Sequence, residues 1–260
     1  MAGDLSSFEN FDSIISTLKS NSKSIPFKSY SIKELNLGQH RSIFHHQWNI
    51  ISLPVFMSNL YNGFINENVE CVDEPLPVSS LVTLVERPYI IARLRKISIG
   101  DEVKDNNNKV YKLNLPDLDE STIPQPEDIE YNGVTIHIEV PTIEVDTFYN
   151  DILLNEVAAS TPKNVDELDE TQYVQSALLY ENYEIMKYIK SVSFNGTEYI
   201  FAAVDNDSRN KMINSLTKEV ADKITDFIKK VEAHKEIALS CTGKNGKKFI
   251  PDFNTLFLTK

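Results

Sequence analysis

The first part of the chain carries apolar residues at helical spacing. Phe56, Leu60 and Phe64 lie four residues apart on one helical face and predict a helix over residues 53–68. A second helix is predicted over about residues 32–48. An amphipathic stripe nearer the amino terminus predicts one more helix and comprises Phe8, Phe11, Ile14, Ile15 and Leu18.

The strongest helical pattern of this part runs from Val78 to Ile97 and contains Pro88. Proline inside a helix removes a backbone hydrogen bond and clashes with the preceding turn. We therefore expect either a kink at Pro88 or a new helix that has this residue in its first turn. Gly100 follows the last apolar position and is expected to end the helix.

In the middle of the chain the apolar period changes from helical to alternating. Residues 110–115 and 134–140 alternate apolar and polar side chains, which predicts strands. The Asn-Gly pair at 132–133 is typical of a two-residue type I′ hairpin turn.

The second half predicts two helical regions with another hairpin between them, whose Asn-Gly turn is at 195–196. The first region extends from Asn164 or Asp166, either of which could cap it, to about Lys190. Its expected buried stripe is Val174, Leu178, Glu181, Ile185 and Tyr188. A helix or helix pair follows Ser208, with an expected buried face of Val220, Ile224, Phe227, Ile228, Val231 and Ala238.

This order of helices, hairpins and helices predicts an α+β fold, because the alternating βα units of a parallel sheet are absent. We divide the chain into a mainly helical N-terminal part over residues 1–103, a β-rich insertion over 104–150 and a C-terminal part over 151–260. The last part is helical, with a further hairpin and an apolar tail. A chain of 260 residues buries enough surface to need no disulfide or metal.

The chain is acidic, with 26 Lys and Arg against 38 Asp and Glu and a formal net charge of -12. Binding to nucleic acid irrespective of sequence and docking on anionic membranes both depend on positive charge, so neither is expected. The sequence has no apolar run of about 18 residues and no signal-peptide pattern. Its two distant cysteines are typical of a reducing cytoplasm, or of a particle assembled there.

Candidate catalytic and metal-binding groups are few and are not spaced for chemistry. His40, His45 and His46 lack the i, i+4 pair and the nearby acid of a helical zinc site. His234 and Cys241 lie about 10 Å apart along an unbroken helix, too far for a nucleophile and its base. We expect no catalytic residue, metal or cofactor. An enzyme of another type would need a deep pocket lined by titratable groups with shifted pKa values.

The segment from Leu84 to Val103 resembles a signature of baseplate proteins from T-even-like contractile-tailed phages. In those proteins a helix ends in a pattern similar to LRxxSxGxxV before a β insertion. The matching positions here are Leu94, Arg95, Ser98, Gly100 and Val103. Upstream, the stretch IPFKSYSIKEL is similar to the family's entry segment, with Ile32, Lys33 and Glu34 at the matching positions. Residues 136–147 resemble its β segment.

The resemblance implies a non-enzymatic structural component of the baseplate hub region, which contacts hub, tube or tape-measure proteins. An oligomer within the assembly is compatible with this role. A hub-assembly chaperone that is absent from the mature virion is the alternative. The implied location is the virion tail, after assembly in the host cytoplasm. Members of that family often carry paired cysteines as zinc knuckles, but only Cys241 is present near this carboxy terminus, so no zinc is implied.

The carboxy-terminal tail is unusually apolar for a chain end. Termini are usually polar and loose unless they are tied down, so the tail either folds back on its own domain or docks on a partner. We favour docking on a neighbouring tail protein, because Lys and Gly residues before the tail suit an arm that reaches outward. The expected partner-binding residues are Phe249, Ile250, Phe253, Leu256, Phe257 and Leu258.

Overall fold

The computed structural model describes residues 23–44, 53–105, 107–160, 170–252 and 256–257. Within these ranges it combines helices with three small antiparallel sheets, which confirms the α+β prediction. Several predicted features lie outside the described residues: the stripe from Phe8 to Leu18, His45, His46, the cap at Asn164 or Asp166, Phe253 and Leu258.

The first sheet has the order β1-β2-β3 and is formed by β1 (Ser24–Phe27), β2 (Tyr30–Lys33) and β3 (Val69–Cys71). Helices α1 (Leu37–Phe44) and α2 (Leu53–Asn68) lie between its second and third strands in the chain. The bounds predicted for α2 are therefore confirmed.

The helix expected from about residue 32 begins later, at the start of α1. Tyr30 and Ile32 are buried on one side of strand β2, so this segment follows a period of two. Asn36 then provides the helix start signal. Its side chain accepts a hydrogen bond from the Gln39 backbone N–H at 3.0 Å, and the Gln39 side chain accepts one from the Asn36 N–H at 2.8 Å. This reciprocal pair is a capping box.

A short helix α3 (Val78–Leu81) precedes the long helix α4 (Arg87–Ile99), in which Pro88 occupies the first turn. The second of the two predictions for Pro88 is thus confirmed. The carboxylate of Glu86 accepts hydrogen bonds from the backbone N–H and hydroxyl of Thr83, both at 3.0 Å, which fixes the turn before α4. Gly100 ends the helix at φ 93°, a left-handed conformation that favours glycine.

The second sheet has the order β11-β10-β5-β4 and joins the middle of the chain to its carboxy-terminal region. Its strands are β4 (Glu102–Lys104), β5 (Val110–Leu113), β10 (Cys241–Gly243) and β11 (Lys248–Phe249). The central pairing sets Cys241 opposite Leu113 and Gly243 opposite Tyr111.

The third sheet has the order β6-β7-β8-β9 and contains both predicted hairpins. Its strands are β6 (Glu127–Tyr131), β7 (Val134–Ile138), β8 (Ile189–Phe194) and β9 (Thr197–Ile200). In the turns, Asn132 and Gly133 have φ of 51° and 77°, and Asn195 and Gly196 have φ of 49° and 77°. Two consecutive positive φ angles are those of a type I′ turn, so both turn predictions are confirmed.

Four further helices complete the fold: α5 (Ile143–Ser160), α6 (Glu170–Tyr188), α7 (Asn206–Ser215) and α8 (Lys218–Ala238). The apolar face predicted for the last helix is buried along its whole length and also includes His234. Helix α7 begins at Asp205, whose side chain accepts a hydrogen bond from the Ser208 N–H at 2.9 Å.

The buried stripe predicted for α6 is wrong in its first half. Val174 and Leu178 are 49% and 56% exposed, whereas Tyr183, Met186 and Lys187 are buried. The apolar spacing gave the wrong buried face because the helix buries a charged side chain, Lys187, against Asp146 of α5. The hydrophobic core itself draws on all three parts of the sequence, with fully buried residues such as Ile32, Leu94, Ile136 and Phe227.

Candidate functional site

A cluster of opposite charges is buried where helices α2, α4, α5 and α6 meet. At its centre is Asp146 of α5, whose side chain is 2% exposed. One of its oxygens lies 2.9 Å from Arg87 Nη1, and the other lies 3.0 Å from Lys187 Nζ. Lys187 also pairs with Glu184, one turn earlier on α6. The cluster therefore joins residues that are far apart in sequence.

Neutral side chains complete the shell around the Asp146 carboxylate. Ser58 donates a hydrogen bond to it at 2.7 Å, Asn62 at 2.8 Å and Asn150 at 3.0 Å. Ser58 in turn accepts a hydrogen bond from Arg87 Nη1 at 2.6 Å. These donors and the two cations offset the large desolvation cost of the buried carboxylate, so it keeps its charge.

The two central charges are fixed at neutral pH. Burial alone would raise the pKa of Asp146, but Lys187, Arg87 and the hydrogen bonds from Ser58 and Asn62 outweigh it, so the pKa lies well below its usual range. Burial would lower the pKa of Lys187, but Glu184 and Asp146 outweigh it and the pKa is raised. Both shifts move away from neutrality, whereas a general acid or base needs a pKa near the working pH.

A pocket of about 430 Å³ opens beside the cluster, between α2, α4, α6 and α8. Arg87, Asp146 and Lys187 form part of its lining, and Glu232 and Lys235 of α8 stand on the opposite side. The remaining lining is largely apolar or tyrosine. The enzyme alternative required a pocket with titratable groups of shifted pKa, and this pocket meets that condition. Its central charges are nevertheless locked to each other rather than poised for proton transfer.

The apolar tail is divided between the protein's own core and its surface. Leu256 and Phe257 are almost completely buried. The Phe257 ring lies 6.1 Å from that of Tyr61 and 6.3 Å from that of Phe64, both on α2. For Leu256 and Phe257 the expected outward arm is wrong, because α2 offers apolar surface that these side chains cover.

Earlier in the tail the two strand-end residues differ. The Phe249 ring packs against that of Tyr111 in a tilted arrangement, with 4.8 Å between ring centroids, and is half-buried. Ile250 is 46% exposed. Of the four described residues predicted to bind a partner, Ile250 is therefore the most exposed to solvent.

The signature residues of the resemblance hold the fold together. Leu94 and Val103 are completely buried. The Ser98 hydroxyl accepts a hydrogen bond from the Leu35 N–H at 2.9 Å, which ties α4 to the chain after β2. Arg95 is also buried and donates through Nε to the Leu256 carbonyl at 2.9 Å, and through its guanidinium to the Glu102 carbonyl. Arg95 thus fastens the tail to α4 and β4.

His234 and Cys241 do not form a catalytic pair. His234 lies within hydrogen-bond distance, 3.2 Å, of both the Tyr89 hydroxyl and the Thr122 carbonyl. The Cys241 thiol instead contacts the Leu239 carbonyl at 3.5 Å, and burial raises its pKa to about 11, which keeps it protonated at neutral pH.

No metal site and no membrane span is found among the described residues. Their His, Cys, Asp and Glu side chains form no group of three or more that could hold a metal ion. Their helices include none with the length and apolar character needed to cross a bilayer.

Sequence patterns did not predict the charged cluster. Arg87, Asp146 and Lys187 lie 59 and 41 residues apart, so no local motif connects them. The available signal is weaker: Lys187 interrupts the run Tyr183 to Tyr188, in which buried apolar or aromatic side chains prevail. A charge at such a position is buried only when a partner meets it.

Comparison with known proteins gives one match over nearly the whole chain. A family model described as T4 bacteriophage base plate protein matches residues 11–258. Neither the curated proteins nor the solved structures that were compared include a match. The matched range contains the signature helix α4, all three sheets and the buried charge cluster. The chain therefore belongs to the T4 bacteriophage base plate protein family.

Proposed function

We propose that this protein is a non-enzymatic structural component of the hub region of a phage tail baseplate, acting through contacts with other tail proteins. The observation that carries the proposal is the family match over residues 11–258. The buried roles of Leu94, Arg95 and Val103 agree with it, because the most specific part of the sequence serves the fold.

The chemistry of the pocket argues against a catalytic role. Asp146 remains ionised and Lys187 remains protonated across the physiological pH range, since each stabilises the charge of the other. The Cys241 thiol has too high a pKa to act as a ready nucleophile. These groups are better suited to fixing the packing of four helices than to transferring protons.

The proposed partners are hub, tube or tape-measure proteins, which the chain would meet in the host cytoplasm late in infection. Ile250 and the half-buried Phe249 remain candidates for such a contact, whereas Leu256 and Phe257 do not. A protein of net charge -12 would favour partners with basic contact surfaces.

Quantitative mass spectrometry of purified virions tests this proposal. Peptides of this chain at a fixed, whole-number ratio to a known baseplate protein are expected. If they occur in infected cells and in baseplate intermediates but are missing from virions, the protein is a hub-assembly chaperone instead. Tail-sheath peptides, present in every intact particle, provide the control for recovery.

A further inference from the structure

The third sheet has an open edge at strand β9. All four of its residues are exposed, and β8 is its only neighbour in the described sheet. In an antiparallel ladder, alternate residues of an edge strand direct their N–H and C=O groups away from the sheet. The edge of β9 therefore offers unpaired donors and acceptors to another chain.

The other edge of this sheet, at β6, contacts a helix. Glu127 of β6 forms a salt bridge of 2.8 Å with Lys230 of α8. Among the edge strands of the other described sheets, β1 carries Pro26 and β4 carries Lys104, residue types that discourage strand addition, whereas β3 carries neither. Strand β9 has neither residue type.

Apolar side chains lie beside the open edge. Tyr199 pairs with Val192, and Thr197 with Phe194, so these four side chains share one face of the sheet. Phe194 and Tyr199 are 47% and 51% exposed. Phe194 and Tyr199 thus form an exposed aromatic pair at this end of the sheet.

The opposite face of β9 carries Glu198, which accepts a hydrogen bond from Ser191 at 2.5 Å and forms no ion pair among the described residues. Ile200, which is 53% exposed, lies on the same face, because Ile200 and Glu198 pair with Ser191 and Ser193 of β8. A strand that joined this edge would therefore meet Tyr199 on one side and Glu198 with Ile200 on the other.

The charge of the chain argues against a second copy of this protein as the partner that binds at β9. Two copies would bring together chains that each have a net charge of -12. A strand of four residues is about 13 Å long, so its edge alone cannot supply the roughly 1,200 Å² of a stable specific interface. It suits a segment whose parent protein is already held in the same assembly by other contacts.

We propose that β9 accepts an extended segment of another tail protein as an added strand, with apolar residues against Tyr199 and basic residues beside Glu198. The proposal rests on the proposed baseplate function for the identity of the partner. The edge geometry and its alternating chemistry are properties of this chain alone, and they make strand addition the mode of recognition.

The test uses the purified full chain and a ten-residue probe peptide that alternates lysine and valine. One matched peptide alternates glutamate and valine, and another is the lysine peptide with its backbone N-methylated at alternate residues. We expect the lysine peptide to bind at least tenfold more tightly than both, measured by fluorescence anisotropy. It should also slow amide exchange in β9 at least tenfold.

Variants locate the binding on the chain. Replacing both Tyr199→Lys and Ile200→Lys should weaken binding of the lysine peptide at least tenfold. The control is Val174→Lys on α6, which changes a side chain of similar exposure away from β9 and should leave binding unchanged. Melting temperatures of all variants show whether each remains folded.

Three outcomes would overturn the proposal: unchanged exchange in β9, equal binding of the N-methylated peptide, or a peptide-free dimer protected at β9. The last would make a second copy the occupant. Binding of the lysine peptide would stand even if mass spectrometry found the chain missing from virions. Failure of the two proposals is therefore distinguishable.

Discussion

At the scale of single residues, Asp146 has the greatest structural consequence of the charged groups. It pairs with two cations inside the protein, and it accepts hydrogen bonds from three neutral side chains. A buried ion pair adds little net stability compared with apolar packing, but removing one partner leaves a buried charge without compensation. The cluster therefore makes the packing of four helices depend on one carboxylate.

Replacing Asp146→Asn should lower the free energy of unfolding by about 3–5 kcal/mol, because Arg87 loses its counter-charge and Lys187 keeps only Glu184. Urea denaturation followed by circular dichroism measures the loss. The control is Asp226→Asn, which removes an exposed i, i+3 partner of Lys229 and should leave the unfolding midpoint unchanged. Equal midpoints for the two variants would contradict a structural role for the cluster.

The same residue gives the stability a defined pH dependence. The folded-state pKa of Asp146 is depressed below the unfolded value of about 3.9, so its contribution is fully present above that value and is lost as pH falls toward the folded pKa. The gap in unfolding free energy between the wild-type protein and Asp146→Asn should be constant from about pH 5 to 7 and narrow below about pH 4. A gap that widens on acidification would show the opposite sign.

Substitutions at two glycines distinguish the effect of backbone strain on stability from the effect of steric crowding. Gly196 has φ of 77° in a hairpin turn, and a Cβ there would meet nothing within 4 Å. Replacing Gly196→Val should destabilise by about 1–3 kcal/mol through the backbone alone. The matched change Gly63→Ala, in a helix and equally open, should stabilise by about 0.5–1 kcal/mol. A neutral result at Gly196 would contradict the type I′ turn.

At the scale of elements, the tail behaves as part of the core. Phe257 is 2% exposed, so Phe257→Ala should cost about 3–5 kcal/mol, and deletion of all residues after Gly246 should lower the melting temperature further. Ile250→Ala is the control and should change stability by less than about 0.5 kcal/mol. If the truncated protein kept its melting temperature, the result would support the earlier prediction that the tail reaches outward to a partner.

Elements defined by local chemistry were predicted from the sequence. The helix Leu53–Asn68, the start of a helix near Pro88 and both Asn-Gly turns depend on spacing or on residues a few positions apart. Helix α6 was predicted as an element, but of its predicted buried face only Ile185 and Tyr188 are buried. Its inward side is set by Lys187 meeting Asp146 from another helix, and no pattern within α6 contains that information.

At the scale of the whole molecule, the sheets cross the boundaries that the sequence suggested. Strand β5 pairs with β10, and β7 pairs with β8, so the insertion predicted over residues 104–150 shares its sheets with the part over 151–260. Arg95 adds a link from the first part to the tail through Leu256. Such pairings join strands that are far apart in the sequence, and the order of strands along the chain does not determine which of them pair.

These links lead to a last prediction, that the three parts unfold together. Helix α4 packs on α8, with Tyr89 near His234, and β10 pairs with β5 from an earlier part of the chain. Circular dichroism of the helices and amide exchange in β5, β7, β8 and β10 should therefore report one unfolding free energy. A fragment of residues 1–103 should lack cooperative unfolding, because Leu256, which accepts from Arg95, and His234, which contacts Tyr89, lie outside it. The opposite result would be a fragment that unfolds cooperatively, with the denaturant dependence expected for a folded domain of its size. That result would establish residues 1–103 as an independent domain.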